Sequence, residues 1–212
     1  MSTPNGGISL LLFFMLAPLL FMGLLFVWLV PLGYTFNSVI NLFVVPKQFV
    51  KIFTNKTMRR NHALEHATVN VIEEQYGPTN LSGVADDNGF LIRGTADPTL
   101  IYNAARIGLM RIQNGEKDLA VHKRCGTSIA ITNLFTSVLF ILVLLFTGQA
   151  NLWTMFLAIV LGSLVGPSLG IITQKYVTTR TDVQNVEIVG YVPGFGQLKI
   201  LTRETEPQFI IE

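Results

Sequence analysis

The sequence has only one cysteine, Cys125, among 212 residues. A single cysteine cannot form an internal disulfide, so the composition does not point to an oxidising compartment. The formal net charge of +2 is too small to predict nucleic-acid binding, and no recognition motif accompanies it. No G-x-x-x-x-G-K-S/T motif is present, and no G-x-G-x-x-G opens a helix. The sequence therefore predicts neither a nucleotide-binding nor a nucleic-acid-binding protein.

Charged side chains are absent from two long blocks. Every Lys, Arg, Asp and Glu lies outside residues 1–46 and 125–174. Blocks of this size contain stretches of about 20 apolar residues, enough for helices that cross the ~30 Å hydrocarbon core of a bilayer. We therefore predict an integral membrane protein in contact with the lipid bilayer. Its three transmembrane helices are expected over residues 8–30, 129–146 and 152–173.

Residues 34–45 are apolar but make up only about half of a span. Pro31 and Gly33 precede them, Pro46 follows, and five Lys and Arg residues come next, between positions 47 and 60. We expect the first helix to break near Pro31 and residues 34–45 to form an interfacial or re-entrant segment, with the basic exit at the lipid head groups. A second full span is the alternative.

The remaining sequence predicts a small α+β insert that a C-terminal β-hairpin completes. A helix is expected over residues 57–76, ending at Gly77-Pro78, and another over residues 99–113. Strands 81–85 and 90–93 flank an Asp-Asp-Asn-Gly turn, and residues 119–121 read as a short strand. In the tail, strands 183–192 and 197–203 surround a Pro-Gly-Phe-Gly turn and should extend the same sheet.

This reading divides the chain into four parts, and the positive-inside rule orients them. The parts are residues 1–46 (transmembrane helix and interfacial segment), 47–127 (insert), 128–174 (transmembrane hairpin) and 175–212 (tail). The N-terminus and the turn 147–151 carry no Lys or Arg, whereas the other loops that flank apolar segments do. Three spans therefore place the N-terminus outside, and the insert and the C-terminal tail in the cytoplasm.

Two of the three histidines stand four residues apart on the first predicted helix of the insert. His62 and His66 are neighbours on one helix face, so their imidazoles can chelate one metal ion. Glu65 completes the His-x-x-Glu-His spacing of the inverted zincin motif, in which the glutamate is the general base. We therefore predict a zinc site in which Glu65 is the candidate catalytic residue.

A second window places His122 three residues before Cys125, close to the apolar block. Four ligands, His62, His66, His122 and Cys125, would close the site and make it structural. The three histidines alone would leave a position for water, with Glu73 as a fourth ligand or a supporting partner. Two further explanations remain: surface histidines and a buried cysteine without any metal, or a haem or other tetrapyrrole bound by one histidine.

Several separated motifs together resemble a known family. They are Asn61-His62-Ala63-Leu64-Glu65-His66-Ala67-Thr68, Gly89-Phe90 with Gly94, Gly115-Glu116, and Leu119-Ala120-Val121-His122 with Cys125-Gly126-Thr127. In this order they resemble an uncharacterised cyanobacterial membrane-protein family, a domain of unknown function, over about residues 55–190. The resemblance implies the plasma or thylakoid membrane of a photosynthetic bacterium, and it implies no reaction.

These observations lead to three functional hypotheses. We expect an assembly or scaffold factor of a photosynthetic membrane, whose metal pins the insert to the bilayer and whose partners are membrane protein complexes. The alternative is a membrane-bound metallohydrolase of the peptidase kind. The second alternative is a protein that handles haem or pigment. The sequence does not specify an oligomeric state.

Overall fold

The computed structural model describes the backbone of residues 5–205 and the side chains of residues 14–47 and 49–205. Residues 1–4 and 206–212, which belong to the predicted N-terminal and C-terminal segments, lie outside this range. The described elements are α1 (Asn5–Thr54), α2 (Lys56–Tyr76), β1 (Ser82–Asp86), β2 (Gly89–Arg93), α3 (Pro98–Gln113), a 3-10 helix (Lys117–Ala120), α4 (Gly126–Thr147), α5 (Leu152–Thr173), a π-turn (Gln174–Thr178), β3 (Val186–Gly194) and β4 (Gln197–Glu204).

Three of these helical stretches are long and apolar enough to cross a membrane. They are Phe14–Thr54 in α1, Gly126–Thr147 in α4, and Leu152–Thr178, which covers α5 and the π-turn. The helices predicted for the second and third spans are confirmed to within a few residues. The protein is therefore mostly helical, with three candidate membrane-crossing helices and one small antiparallel sheet.

Helix α1 differs from the prediction. It runs without interruption through Pro31, Gly33 and Pro46, so the expected helix break near Pro31 is wrong. Proline is tolerated inside apolar helices where serine or threonine side chains support the nearby backbone. The hydroxyl of Thr35 donates to the carbonyl of Pro31 over 2.8 Å, one turn beyond the carbonyl of Val27, which loses its helical donor to the proline. The interfacial position of residues 34–45 stays a prediction.

The described residues form two compact units, of which one is helical apart from the turn between α4 and α5 and comprises residues 5–43 and 134–164. Within it, Tyr34 packs edge-to-face on the fully buried Phe140, with ring centroids 4.9 Å apart. Gly162 lies directly against Thr136, where an added Cβ would approach the threonine hydroxyl to 1.9 Å. A small residue at this point therefore allows α4 and α5 to pack closely, as glycine does in membrane helix pairs.

The second unit, residues 44–133 and 165–205, is an α+β domain. Its four strands are antiparallel in the order β1-β2-β4-β3, and α2 and α3 pack on them around an apolar core. Strand β4 pairs with β2 from Gly89 opposite Leu201 to Arg93 opposite Gln197. The prediction that the C-terminal hairpin extends the sheet of the insert is therefore confirmed.

Residues 119–121 do not form the predicted strand. Lys117–Ala120 is a 3-10 helix, and its end is bonded to side chains of α2 and not to a neighbouring strand. The amide of Asn70 donates to the carbonyls of Leu119 and Val121, each over 2.9 Å. These carbonyls are satisfied by one asparagine, which removes the need for a sheet partner.

Candidate metal centre

Helix α2 carries the first half of the candidate site and is buried on more than one side. Asn55 caps its start by accepting a hydrogen bond from the backbone N–H of Met58 over 3.0 Å, and Gly77 ends it in a left-handed conformation. Leu64 and Ala67 face the apolar core, and Ala67 packs tightly against Gly108 of α3. This contact fixes the helix so that its histidines face the opposite direction.

The structure brings His62, His66 and Cys125 together, and we call them the trio. One ligand atom from each lies within 4.8 Å of the other two, and all three side chains are buried. The Nε2 atom of His62 is 3.5 Å from the sulfur of Cys125, and the two imidazole centroids are 4.3 Å apart. Two nitrogens and one sulfur at this spacing suit a tetrahedral zinc ion, which binds at about 2.0–2.3 Å.

Both histidines of the trio are oriented by backbone carbonyls. The Nδ1 atom of His62 lies 3.0 Å from the carbonyl of Thr178, and that of His66 lies 2.8 Å from the carbonyl of Ala120. A carbonyl only accepts, so each Nδ1 carries a proton, and Nε2 presents a lone pair whenever the ring is neutral. Metal-binding histidines show this same arrangement. The Nε2 atom of His66 is buried and has no hydrogen-bond partner among the described residues.

Cys125 immediately precedes α4, and its sulfur accepts the backbone N–H of Thr127 over 3.3 Å. Burial alone would raise the pKa of the thiol, but the hydrogen bond and charge of His62 outweigh it and lower that pKa. Burial likewise disfavours a charged His62, yet Cys125 and the Glu65 charge raise its pKa to about 9. The imidazolium of His62 and the thiolate of Cys125 therefore stabilise each other.

His66 behaves in the opposite way. Its side chain is only 1% exposed, and burial together with the charge of His62 lowers its pKa to about 3. The imidazole is therefore neutral, which is the form that binds metals. A neutral, buried nitrogen without a hydrogen-bond partner is unusual, and a metal ion would supply the missing contact.

Glu65 lies beside the trio but does not belong to it. Its carboxylate is 6% exposed, and burial raises its pKa although His66 and His62 oppose this. It packs against the backbone of β1, where a Cβ added to Gly83 would come within 2.2 Å of Oε1. Glu65, His62 and Cys125 line a cavity of about 150 Å³. The carboxylate therefore lies at a cavity that adjoins two members of the trio.

His122 and Glu73 are paired with each other and lie outside the trio. The Nε2 atom of His122 faces Oε2 of Glu73 at 3.2 Å, and Arg124 also binds this carboxylate. The ring centroids of His122 and His66 are 6.1 Å apart. The structure therefore does not assemble the predicted sets that join His122 or Glu73 to His62 and His66.

Sequence reasoning missed the residue that holds His122. The fully buried Gln174 accepts the backbone N–H of His122 over 2.9 Å and donates to its carbonyl over 3.0 Å. It also donates to the hydroxyl of Ser128. The sequence signal for Gln174 was its position, because this polar amide is the last residue of the charge-free block 125–174. Thr178 and Ala120, which orient the histidines, act through their backbone and leave no signal in the sequence.

The fold and the trio together define a class of protein: a chain with three apolar helices of membrane-spanning length and an α+β domain that encloses a possible metal centre. The chain belongs to a family described as "Domain of unknown function (DUF6391)", which matches residues 57–191. This range includes the trio, Glu65 and Gln174. The resemblance to an uncharacterised family is therefore confirmed.

One curated relative is an uncharacterized protein of the cyanobacterium Picosynechococcus sp. (strain ATCC 27264 / PCC 7002 / PR-6). It is 40% identical over 89 residues, which cover 38% of this chain and 43% of the relative. This match supports the cyanobacterial character of the family. No solved structure matches the chain.

Proposed function

We propose that the trio binds one zinc ion. The observation that carries this proposal is the buried Nε2 atom of His66, which has no partner in the described part of the chain and points to a cysteine-containing cluster. The Nδ1–H bonds of His62 and His66 to carbonyls support it, because they leave Nε2 as the atom of each neutral ring that can bind a metal. The mixed nitrogen and sulfur donors favour zinc over Mg²⁺ or Ca²⁺, which prefer oxygen.

The site supports a membrane-anchored metallohydrolase, most simply a peptidase, better than the other candidates. Three protein ligands leave one position of a tetrahedral site open, as in catalytic zinc sites. When bound, the zinc ion would polarise a substrate carbonyl and lower the pKa of a water molecule. Glu65, buried beside the cavity, is placed to act as the general base. Its raised pKa brings it closer to the operating pH, which suits that role.

The proton balance of the reaction assigns Glu65 two consecutive roles. It accepts one proton from the attacking water as the water oxygen bonds to the carbonyl carbon. It then delivers this proton to the nitrogen of the departing amine as the C–N bond breaks. One water molecule is consumed, and the products are a carboxylic acid and an amine. The charge of Glu65 is restored at the end, so no other reactant is needed.

We further propose that α1, α4 and α5 span a bacterial plasma or thylakoid membrane. Their length and apolar composition support this proposal, as does the absence of Lys and Arg from the turn 147–151. The N-terminus then faces outward, and the α+β domain lies in the cytoplasm. A hydrolase in this position would meet substrates at the membrane surface.

The decisive experiment compares Glu65→Gln with the unchanged protein, purified in detergent and loaded with zinc. We expect about one zinc per chain in both, and cleavage of a quenched-fluorescence peptide library slowed by roughly 10²–10⁴-fold in the variant. Glu74→Gln is the matched control, because Glu74 is an exposed carboxylate on the same helix that pairs with Arg111. Equal cleavage by Glu65→Gln and the unchanged protein would contradict the hydrolase proposal.

A metal-pinned assembly or scaffold factor is the second candidate. The large separation of the ligands along the chain favours it. The trio joins α2 to the residue before α4, 63 positions apart in the chain for His62 and Cys125. A metal bound there would cross-link these segments even without chemistry. For this candidate, zinc removal should unfold the α+β domain while Glu65→Gln has no effect on membrane complexes. The tetrapyrrole alternative gains no support. The cavity beside the trio measures about 150 Å³, whereas pockets for whole cofactors measure about 300–1,000 Å³.

A further inference from the structure

We infer that the outer edge of β1 binds an extended peptide segment, with one apolar side chain of that segment in the cavity beside the trio. The inference rests on the proposed hydrolase and names its substrate class. Strand β1 is an edge strand, since the sheet order is β1-β2-β4-β3. Its residues Gly83, Val84 and Ala85 line the same cavity as Glu65 and Cys125.

The hydrogen-bond register shows which backbone groups of β1 are directed outward. The N–H of Gly94 donates to the carbonyl of Gly196, so even-numbered residues of β2 bond to β4 and odd-numbered residues bond to β1. Val84, opposite an odd-numbered residue, therefore bonds to β2. Gly83 and Ala85 direct their N–H and C=O groups away from the sheet.

The two edges of the sheet differ in their protection. Edge strands in native proteins are commonly blocked by proline, lysine or a bulge, because open edges pair with other chains. Strand β3, at one edge, has both Pro193 and an irregularity between Ile188 and Gly190. Strand β1 has the sequence Ser-Gly-Val-Ala-Asp, which contains none of these devices. The unprotected edge is thus the one beside the proposed reaction centre.

The alternating donors and acceptors of Gly83 and Ala85 match the backbone of an extended peptide. Peptides commonly bind by adding a strand to such an edge, where the main chain gives affinity and pockets give specificity. Glu65 packs directly on Gly83, so a peptide paired with β1 would bring its backbone close to the proposed base. The β1 edge therefore differs from other exposed strands in that it lies beside the proposed base, Glu65.

The cavity adds a side-chain preference. Ile52 and Met58 contribute apolar lining, and Gly126 and Thr127 complete it. Its volume of about 150 Å³ equals that of engineered apolar cavities that hold a benzene molecule. One side chain of leucine size fits this space, whereas tryptophan is too large and glycine leaves it unfilled.

The test uses hydroxamate-capped peptides on the zinc-loaded full-length protein in detergent. We expect hydroxamate-Leu-Val-Ala-amide to bind at least tenfold more tightly than acetohydroxamate, which lacks the peptide. Replacing leucine with glycine or tryptophan should remove most of this gain. Peptide binding should also slow hydrogen exchange at the amides of Gly83 and Ala85 and leave the amides of β3 unchanged. Affinity is measured by calorimetry and protection by mass spectrometry.

Two matched comparisons isolate the strand pairing. N-methylation of the peptide amide that faces β1 should weaken binding about tenfold, whereas methylation of the next amide, which points away, should not. Ala85→Pro should itself weaken binding of the unmethylated peptide, because proline lacks the outward N–H that would donate to a peptide carbonyl, and proline is tolerated at such positions on edge strands. Zinc content is measured in each sample.

The outcomes separate the inference from the proposed function. If zinc and acetohydroxamate bind but the peptide adds no affinity and no protection at β1, the inference is wrong while the metal centre stands. The same holds if both methylated peptides bind alike. If neither zinc nor acetohydroxamate binds, the proposed hydrolase fails, and the inference fails with it.

Discussion

At the scale of single residues, the chemistry of the trio depends on one proton that His62 and Cys125 share through their hydrogen bond. Burial opposes a charged His62 and a charged Cys125 alike, but their mutual hydrogen bond and opposite charges outweigh the cost. His66, 4.3 Å away between ring centroids, stays neutral because burial and the charge of His62 both disfavour its protonation. Two histidines one helical turn apart therefore reach opposite protonation states.

This proton gives zinc binding a specific pH dependence. His62, with a pKa of about 9, is protonated at neutral pH, and zinc must displace that proton. The lowered pKa of the Cys125 thiol favours its deprotonated form, so this ligand contributes less to the proton release. We expect the affinity for zinc to rise by at least about tenfold per pH unit between pH 6 and pH 8, because His62 must release one proton. Competition with a chelator at each pH measures it.

The variant His122→Asn serves as the control for this titration, because His122 pairs with Glu73 outside the trio. Its slope should equal that of the unchanged protein. A slope near two protons would mean that the thiol is also protonated, and a flat profile would mean that His62 is not a ligand. The flat profile would refute the assigned ligand set.

The pairing of ligands was only partly predictable from the sequence. His62 and His66 share a helix face by spacing alone, so their proximity could be predicted. His122 and Cys125 are also close in sequence, yet only Cys125 joins the trio. The difference arises from Gln174, which binds the backbone of His122 from 52 residues away and helps to place its side chain toward Glu73. Sequence spacing contains no information about that contact.

At the scale of secondary-structure elements, the end of α5 organises the site. Its last turn is a π-turn, Gln174–Thr178, a form that often marks functional sites. This turn supplies the side chain of Gln174 to His122 and the carbonyl of Thr178 to His62. One element thus positions both windows of the sequence that carry histidines.

Local signals predicted most of the other elements. Gly77-Pro78 ended α2 as expected, and the Asp-Asp-Asn-Gly turn produced the hairpin of β1 and β2. The failures have tertiary causes. Residues 119–121 formed a 3-10 helix end because Asn70 satisfies its carbonyls, and α1 continued through Pro31 because an apolar helix tolerates proline.

The substitution Gln174→Leu tests the role of the π-turn. It removes the acceptor for the backbone N–H of His122 and leaves this buried group unsatisfied, which costs about 1–3 kcal/mol of unfolding free energy. The zinc content should not change, because no ligand of the trio is altered. Denaturant unfolding in detergent, together with metal analysis, measures both quantities.

Gln149→Leu provides the comparison, since Gln149 lies exposed in the turn between α4 and α5. Surface substitutions of this kind change the unfolding free energy by no more than about 0.5 kcal/mol. Equal destabilisation by the two variants would show that the bond between Gln174 and His122 contributes nothing specific.

At the scale of the whole molecule, the distribution of charge and the distribution of hydropathy divide the chain into the same parts. The uncharged blocks supply the three long apolar helices, and the charged residues lie in the α+β domain and the segments that adjoin it. The proposed topology has three crossings, so the α4–α5 turn and the C-terminal hairpin should lie on opposite sides of the membrane.

Single cysteines test this topology. With the protein in the plasma membrane and in a Cys125→Ser background, Gln149→Cys should react with a membrane-impermeant maleimide on intact cells. Glu187→Cys, on β3, should react only after the cells are opened. Both positions are exposed, so accessibility within the fold does not distinguish them. Labelling of both from the same side would overturn the three-crossing topology.

The pairing of β2 with β4 also fixes the order in which this protein matures. Gly89 and Leu201 are partners in the sheet, yet 112 residues separate them in the chain. The ribosome completes both later apolar helices before it synthesises β3 and β4. Until then, β2 has an unpaired edge, and contacts between such distant segments form slowly. The α+β domain therefore closes only after α4 and α5 have been made.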